Sequence, residues 1–232
     1  MPITRRGFLR AGLSTVAIGA LAACAEKVQS SARNKPTGGP FEEVGPLPSA
    51  PADRPRTRFA MVGDSITKAS SKPLTGVLEQ IGYTEITIDA EVSRRIDVGD
   101  GRREPLAGVK TMTTMIADGV DPDVWAIGLG TNDVGKYKDA AEYAALIDEM
   151  MAIPDENVPL IWVDVYNPNQ LEATNMFNLV LRDRARARGN ATVLSWFALA
   201  SNPSDDLLRD DHIHPNEKGT LVFADLVSRA LA

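Results

Sequence analysis

The sequence has few of the residues from which disulfides and metal sites are built. Its 232 residues include one cysteine, Cys24, and only two histidines, His212 and His214. A single cysteine cannot form an intramolecular disulfide, and neither histidine belongs to a cluster with the ligand spacing of a zinc site. The phosphate-binding signature GxGxxG is also missing, and so is a complete P-loop, because the GxxxxGK match at residues 130–136 is followed by Tyr137 and not by serine or threonine. We therefore expect chemistry that needs neither a metal nor a cofactor.

Positive charge is also scarce. The 25 lysines and arginines are outnumbered by 31 aspartates and glutamates, which gives a net charge of −6. Proteins bind nucleic acid largely by neutralising its phosphates with basic side chains. The charge balance therefore argues against a nucleic-acid partner.

The apolar run near the N-terminus, residues 11–23, is shorter than the roughly 20 residues of a transmembrane helix. It follows a basic start, as in a secretory signal peptide. RRGFL at residues 5–9 resembles the bacterial twin-arginine export signal, and LAAC at residues 21–24 resembles a lipobox. We expect residues 1–23 to be an export signal and Cys24 to carry lipid, which would anchor the protein on the outer face of the bacterial cytoplasmic membrane or in the periplasm. The alternative is an Ala-x-Ala-type cleavage site followed by an incidental cysteine.

Residues 24–56 differ in composition from the rest of the chain. They are rich in proline, glycine, serine, alanine and charged residues, and they show no apolar periodicity. Such a segment is typical of a disordered tether, although a segment that orders on a partner would have a similar composition. Residues 57–232 remain, enough for one domain with a substantial core, which we expect to be monomeric.

Short apolar runs alternate with helical patterns through this domain. Strands are predicted at 59–62, 85–92, 124–129, 159–165 and 192–197, and helices at 73–81, 105–117, 139–151, 170–188 and 216–231. Nearly continuous apolar strands separated by helices indicate a parallel sheet that is covered on both faces. The sequence therefore predicts an α/β fold, a three-layer α/β/α sandwich with a five-stranded parallel sheet of flavodoxin-like order.

Three polar stretches lie next to these elements: GDS at 63–65, GTND at 130–133 and DHIHP at 211–215. Because parallel strands share a carboxyl edge, all three can meet in one cleft. Acyl transfer requires a nucleophile, a base, an acid that orients the base, and oxyanion donors. Ser65 can attack, a histidine can accept its proton, and Asp211 lies three residues before His214. The side chain of Asn132 and the backbone N–H groups of Gly130 and Ser65 can act as donors.

These stretches, in this order, resemble the SGNH (GDSL-type) hydrolase superfamily from about residue 58 to the C-terminus. The resemblance implies Ser65 as nucleophile, His214 as base, Asp211 as its orienting acid, and Gly130 and Asn132 in the oxyanion hole. The family usually has a glycine after the second strand that supplies another N–H donor.

Ser93 stands at the position of that family glycine. It keeps the N–H, but it must adopt the backbone conformation that the glycine would adopt. The triplet Val-Ser-Arg at 92–94, together with Trp196, resembles the extracytoplasmic catalytic domains of peptidoglycan O-acetyltransferases more than it resembles lipases.

Some assignments have alternatives in the sequence. His212 is a rival base and Asp210 a rival orienting acid, but Pro215 holds His214 in extended backbone angles and so favours it. Arg94 and Arg95 either bind an anionic substrate group or lie in a solvated loop.

Two further acidic residues, Asp64 and Asp133, flank the candidate site residues in sequence. They are expected to bond nearby turn amides.

The sequence therefore predicts an exported, lipid-anchored serine esterase. Its substrate would be a small-molecule or glycan O-acyl ester. The alternatives are an acyltransferase with the same triad and a non-catalytic envelope-binding lipoprotein.

The lipobox resemblance predicts that the mature chain begins at Cys24 and carries lipid there. Intact mass of the protein from the membrane fraction should show the added acyl groups. A soluble mature protein with an unmodified Cys24 thiol would exclude the anchor.

Overall fold

The computed structural model describes Gly45 and residues 55–231. The predicted export signal, Cys24 and nearly all of the predicted tether lie outside the described residues. Five parallel strands form one sheet in the order β2-β1-β3-β4-β5. They are β1 (Arg58–Gly63), β2 (Glu85–Ala90), β3 (Val124–Gly128), β4 (Leu160–Val163) and β5 (Ala191–Leu194). The predicted fold class and strand order are confirmed.

Six α-helices accompany the sheet: α1 (Ser65–Gln80), α2 (Gly108–Ala117), α3 (Ala140–Met151), α4 (Leu171–Arg188), α5 (Trp196–Ala200) and α6 (Glu217–Arg229). Short 3-10 turns at Pro168–Gln170 and Pro203–Asp205 precede α4 and follow α5. Within residues 55–231, no helix is both long and apolar enough to cross a membrane.

The sheet separates two hydrophobic cores, which makes the fold a three-layer sandwich. Side chains alternate between the two faces of a strand, and in β1 Phe59 and Met61 enter one core while Ala60 and Val62 enter the other. Helices α2, α3 and α4 cover the face that contains Ala60, whereas α1 and α6 cover the face that contains Phe59. Burial on both faces explains why β1, β3, β4 and β5 are apolar without alternation, whereas β2, at the edge of the sheet, alternates exposed and half-buried residues.

The predicted helix over 105–117 begins only at Gly108, and the predicted strand over 85–92 ends at Ala90. Two predicted boundaries differ further from the structure, because capping side chains begin helices where the apolar pattern did not predict them. Helix α1 begins at Ser65 rather than at Pro73, since the Asp64 carboxylate accepts the Ile66 N–H and caps the first turn. Pro73 lies inside this helix. The predicted strand over 192–197 ends at Leu194, because the Ser195 hydroxyl accepts the Ala198 N–H and starts α5.

A buried ion pair connects β4 to two helices. Asp164 directly follows β4, and its carboxylate lies 2.6 Å from Arg182 Nη2 of α4. The same carboxylate accepts hydrogen bonds from Ser195 Oγ at 3.1 Å and from the Phe197 N–H at 2.7 Å. Burial raises the pKa of Asp164 to about 6, and the attraction of Arg182 opposes that rise. One carboxylate thereby joins β4, α4 and α5.

Replacing Asp164 with asparagine should strongly destabilise the fold, because it removes the negative charge that faces the buried guanidinium. Breaking a buried pair costs about 3–5 kcal/mol, and urea unfolding of D164N at pH 8 should show a loss of that order. The matched control is D148N, which breaks the half-exposed ion pair with Arg184 and should cost about 1 kcal/mol or less. Equal losses in the two variants would contradict this account.

Candidate active site

The β1–α1 junction presents Ser65 at the carboxyl edge of the sheet. Asp64 is extended (φ −101°, ψ −156°) and caps α1, so Ser65 becomes the first helical residue. Its N–H therefore has no acceptor within the helix and belongs to the positive end of the helix dipole. Gly63 allows this geometry because a Cβ there would lie only 2.2 Å from Thr67 Oγ1.

A histidine and an aspartate from the far end of the chain complete a hydrogen-bonded series with Ser65. His214 Nε2 lies 2.9 Å from Ser65 Oγ, and His214 Nδ1 lies 2.8 Å from Asp211 Oδ2. Asp211 Oδ1 also accepts the N–H groups of Ile213 and His214, each at 2.9 Å. These backbone hydrogen bonds lower the pKa of Asp211 to about 2. Asp211 is therefore a carboxylate at any working pH and holds one side of the imidazole.

The loop that carries both histidines is anchored at its end. Arg209 N–H donates to the His214 carbonyl at 2.8 Å, and Asn216 caps α6 by accepting the Gly219 N–H. His212 is exposed and has a left-handed backbone with φ 57°. The structure brings His214 to Ser65 and leaves His212 exposed, and it is Asp211 rather than Asp210 that contacts the imidazole.

The predicted oxyanion residues follow β2 and β3 on either side of β1. Gly130 has φ 124°, and a Cβ there would lie 2.6 Å from the ring of Phe177, so only glycine fits. Asn132 Nδ2 donates to the Arg94 carbonyl at 3.1 Å, which leaves its second N–H for another acceptor. Ser93 has φ 63°, so this serine adopts the left-handed conformation that normally favours glycine.

The sequence suggested that Arg94 either binds an anionic substrate group or lies in a solvated loop, and both interpretations are wrong. The side chain is 4% exposed, which excludes a solvated position and a role in binding substrate. Its guanidinium donates to the carbonyls of Gly63, Asp89 and Leu106 and pairs with the Asp89 carboxylate at 2.7 Å. Arg94 therefore holds the chain next to Ser93 against the ends of β1 and β2.

Asp133 bonds a distant loop rather than the nearby turn amides expected from the sequence. It is fully buried, and its carboxylate accepts the Ile96 N–H at 3.2 Å and Arg95 Nε at 3.1 Å. Arg95 is thus a structural partner and not a solvated residue. Burial raises the pKa of Asp133 to about 7, and the charge of Arg95 opposes that rise. The pair joins the loop after β2 to the loop after β3, and no local pattern signals a contact across 37 positions.

The geometry is suited to proton transfer from a hydroxyl through an imidazole that a carboxylate orients. Within the described part of the chain, no three histidine, cysteine, aspartate or glutamate side chains cluster so as to hold a metal ion.

Comparison with known families gives one assignment. Residues 61–221 match the model of the GDSL-like lipase/acylhydrolase family. This match spans all three polar stretches that the sequence singled out. No curated protein matches the chain.

Several solved structures share the fold. The C-terminal catalytic domain of Streptococcus pneumoniae peptidoglycan O-acetyltransferase A, solved with a methylsulfonyl adduct, has a TM-score of 0.60 at 16% identity, over 77% of this chain and 94% of that chain. The esterase EstA from Pseudoalteromonas sp. has a TM-score of 0.57 at 16% identity, over 75% and 96%. A family 3 carbohydrate esterase from Clostridium thermocellum has a TM-score of 0.54 at 17% identity, over 75% and 94%. At these identities the likeness shows a common fold.

The buried Asp133 predicts a pH-dependent contribution to stability. Its pKa is about 7 in the folded protein and about 3.9 in an unfolded chain. The folded state therefore holds the proton more tightly, so this contribution is complete below about pH 4 and is lost as the pH rises through 7. Relative to D133N, the wild type should lose on the order of 2 kcal/mol of unfolding free energy between about pH 5 and pH 8.

Urea unfolding of both proteins at the two pH values measures this difference, and groups that titrate independently of Asp133 cancel in the comparison. A difference that stays constant with pH would show that Asp133 titrates normally.

Proposed function

The chain belongs to the GDSL-like lipase/acylhydrolase family, and from this membership we propose that Ser65, His214 and Asp211 form the catalytic triad of an exported O-acyl esterase. The family is one of serine enzymes that act on ester bonds. The observation that carries the residue assignment is the series from Ser65 Oγ to His214 Nε2 at 2.9 Å and from His214 Nδ1 to Asp211 at 2.8 Å. Each distance is that of a direct hydrogen bond.

In the first half of the reaction, Ser65 Oγ attacks the ester carbonyl carbon while its proton moves to His214 Nε2. Asp211 holds the proton on Nδ1, which leaves Nε2 free to accept, and its negative charge stabilises the imidazolium that forms. The imidazolium then gives its proton to the leaving alcohol as the carbon–oxygen bond breaks. An acyl group remains on Ser65.

The negative charge on the carbonyl oxygen develops next to donors from three loops. The proposed donors are the Ser65 N–H at the start of α1, the Gly130 N–H and the second N–H of the Asn132 amide. Ser93 supplies a further N–H, and its left-handed backbone (φ 63°) supports this role because that conformation normally favours glycine, the residue usual at this position. Donors that are already oriented stabilise the charge without reorganisation during the reaction.

In the second half, His214 takes a proton from a water molecule as that water attacks the acyl carbon. The bond between Ser65 Oγ and the acyl carbon then breaks, and His214 returns the proton to Ser65 Oγ as the acid leaves. A sugar hydroxyl in place of water would give transfer of the acyl group instead. The names of the structural neighbours, a peptidoglycan O-acetyltransferase and a carbohydrate esterase, support a glycan O-acyl ester as substrate. Partition of a labelled acyl group between water and a sugar acceptor separates hydrolase from transferase.

We place this activity outside the cytoplasm, on the outer face of the cytoplasmic membrane or in the periplasm. The support is the twin-arginine-like start and the lipobox-like residues before Cys24. A non-catalytic envelope lipoprotein with the same fold would share these features but would not react with a serine-directed phosphonate.

The triad assignment predicts different effects for the two histidines. H214A should lower the rate at which a fluorophosphonate labels Ser65 by more than about 10³-fold, because the serine loses its base. H212A should keep most of the wild-type rate, since its exposed ring lies outside the hydrogen-bonded series. Mass spectrometry of the labelled protein measures both rates, and circular dichroism checks that each variant folds.

D211N should be severely impaired in the same assay while remaining folded. An inactive H212A together with an active H214A would refute the triad assignment but not the esterase function.

The oxyanion assignment predicts that N132A lowers kcat for a good ester by about 10²–10³-fold with little change in KM. The amide would stabilise the charge that appears only in the transition state. Steady-state kinetics with p-nitrophenyl acetate measures both constants, and an unchanged kcat would remove Asn132 from the site.

A further inference from the structure

A small internal cavity lies beside the turn that carries Ser65. Its walls come from six parts of the chain: the β1–α1 turn, α1, the end of β3 and its loop, the end of β4, α5 and α6. The volume open to the centre of a water molecule is about 10 Å³. That is about the size required for one water molecule and no more.

Three residues that line this cavity carry buried polar atoms in need of a partner. They are Asp64 Oδ2, Thr67 Oγ1 and Trp196 Nε1, and none of them has a hydrogen-bond partner among the residues that the structure describes. The three side chains are almost completely buried, with exposed fractions of 1%, 0% and 1%. Buried polar groups in folded proteins are nearly always satisfied, by protein or by an ordered water.

The chemistry of the three atoms matches a water molecule. A carboxylate oxygen only accepts, an indole N–H only donates, and a hydroxyl does both. Water can donate to Asp64 Oδ2, accept from Trp196 Nε1 and exchange the remaining hydrogen bond with Thr67 Oγ1. A metal cation would meet the positive end of the indole N–H, and a larger molecule would not fit in the volume.

We propose that this cavity is a binding site for one structural water molecule that bridges Asp64, Thr67 and Trp196. The water connects the turn before Ser65 to α1 and to the first residue of α5. Asp64 uses Oδ1 to cap the Ile66 N–H at 2.9 Å, so the water holds the second carboxylate oxygen. Both oxygens of the residue before Ser65 are then fixed.

The electrostatics of Asp64 agree with this site. Burial raises the pKa of this carboxyl to about 6, and hydrogen bonds from the Ile66 N–H and from the Thr131 hydroxyl, which also lines the cavity, oppose that rise. A hydrogen bond from water to Oδ2, the oxygen left without a partner, favours the ionised form in the same way. The charged form is also the better helix cap, because it faces the positive end of α1. The water therefore stabilises the turn that orients Ser65.

The first test is a high-resolution crystal structure of the full chain. It should show one water within about 3.2 Å of Asp64 Oδ2, Thr67 Oγ1 and Trp196 Nε1. A cavity without density, or a direct hydrogen bond between Asp64 and Trp196, would overturn the proposal.

The second test removes the polar groups one at a time. Oxygen-17 magnetic relaxation dispersion, which counts long-lived internal waters, should show one fewer in T67V and in W196F than in the wild type. The matched control is T113V, which deletes a hydroxyl that bonds the Val109 carbonyl at 2.7 Å on α2, away from the cavity, and should keep the wild-type count.

A wild-type count in T67V would overturn the proposal, and so would an equal loss in T113V. T67V preserves the shape of the side chain, so the test stands even where W196F does not fold.

Discussion

The close approach of α1 to the sheet is the constraint on which the site depends. Gly63 of β1 and Gly128 of β3 are register partners, and Thr67 of α1 packs directly over both. A Cβ at either glycine would lie 2.2 Å from Thr67 Oγ1. Two adjacent positions without side chains therefore let the first turn of the helix sit on the sheet. Ser65 consequently lies at the carboxyl edge, between the loops that follow β2 and β3.

Around this edge, the polar interactions that connect the loops are buried, whereas the contact that orients the base is partly exposed. Arg94 and the Arg95–Asp133 pair are largely buried and connect the two loops that carry Ser93 and Asn132. A buried charge without a partner is costly, so each pair resists separation of the loops. The His214–Asp211 contact is partly exposed and gains its orientation from backbone N–H groups. Rigid donors and an accessible base are what acyl transfer at this edge requires.

The order and type of most elements could be predicted from the sequence, because continuous apolar strands and amphipathic helices are local patterns. The largest errors occurred at two helix starts. Asp64 begins α1 well before Pro73, and Ser195 begins α5 where the apolar pattern predicted a continuing strand. In both places a single capping hydrogen bond outweighed the apolar pattern, and such a bond has no periodic signature.

By itself, the sequence determined the fold class and the order of the strands in the sheet. It also determined the position of Ser65 after the first strand and the short list of polar residues able to act with it. Only the tertiary structure decided which histidine meets the serine, since Ser65 and His214 are 149 positions apart. It also decided that Arg94 and Asp133 brace the loops. The physical reason is that burial and hydrogen-bond geometry between distant segments depend on how the sheet is assembled, which no local run of residues encodes.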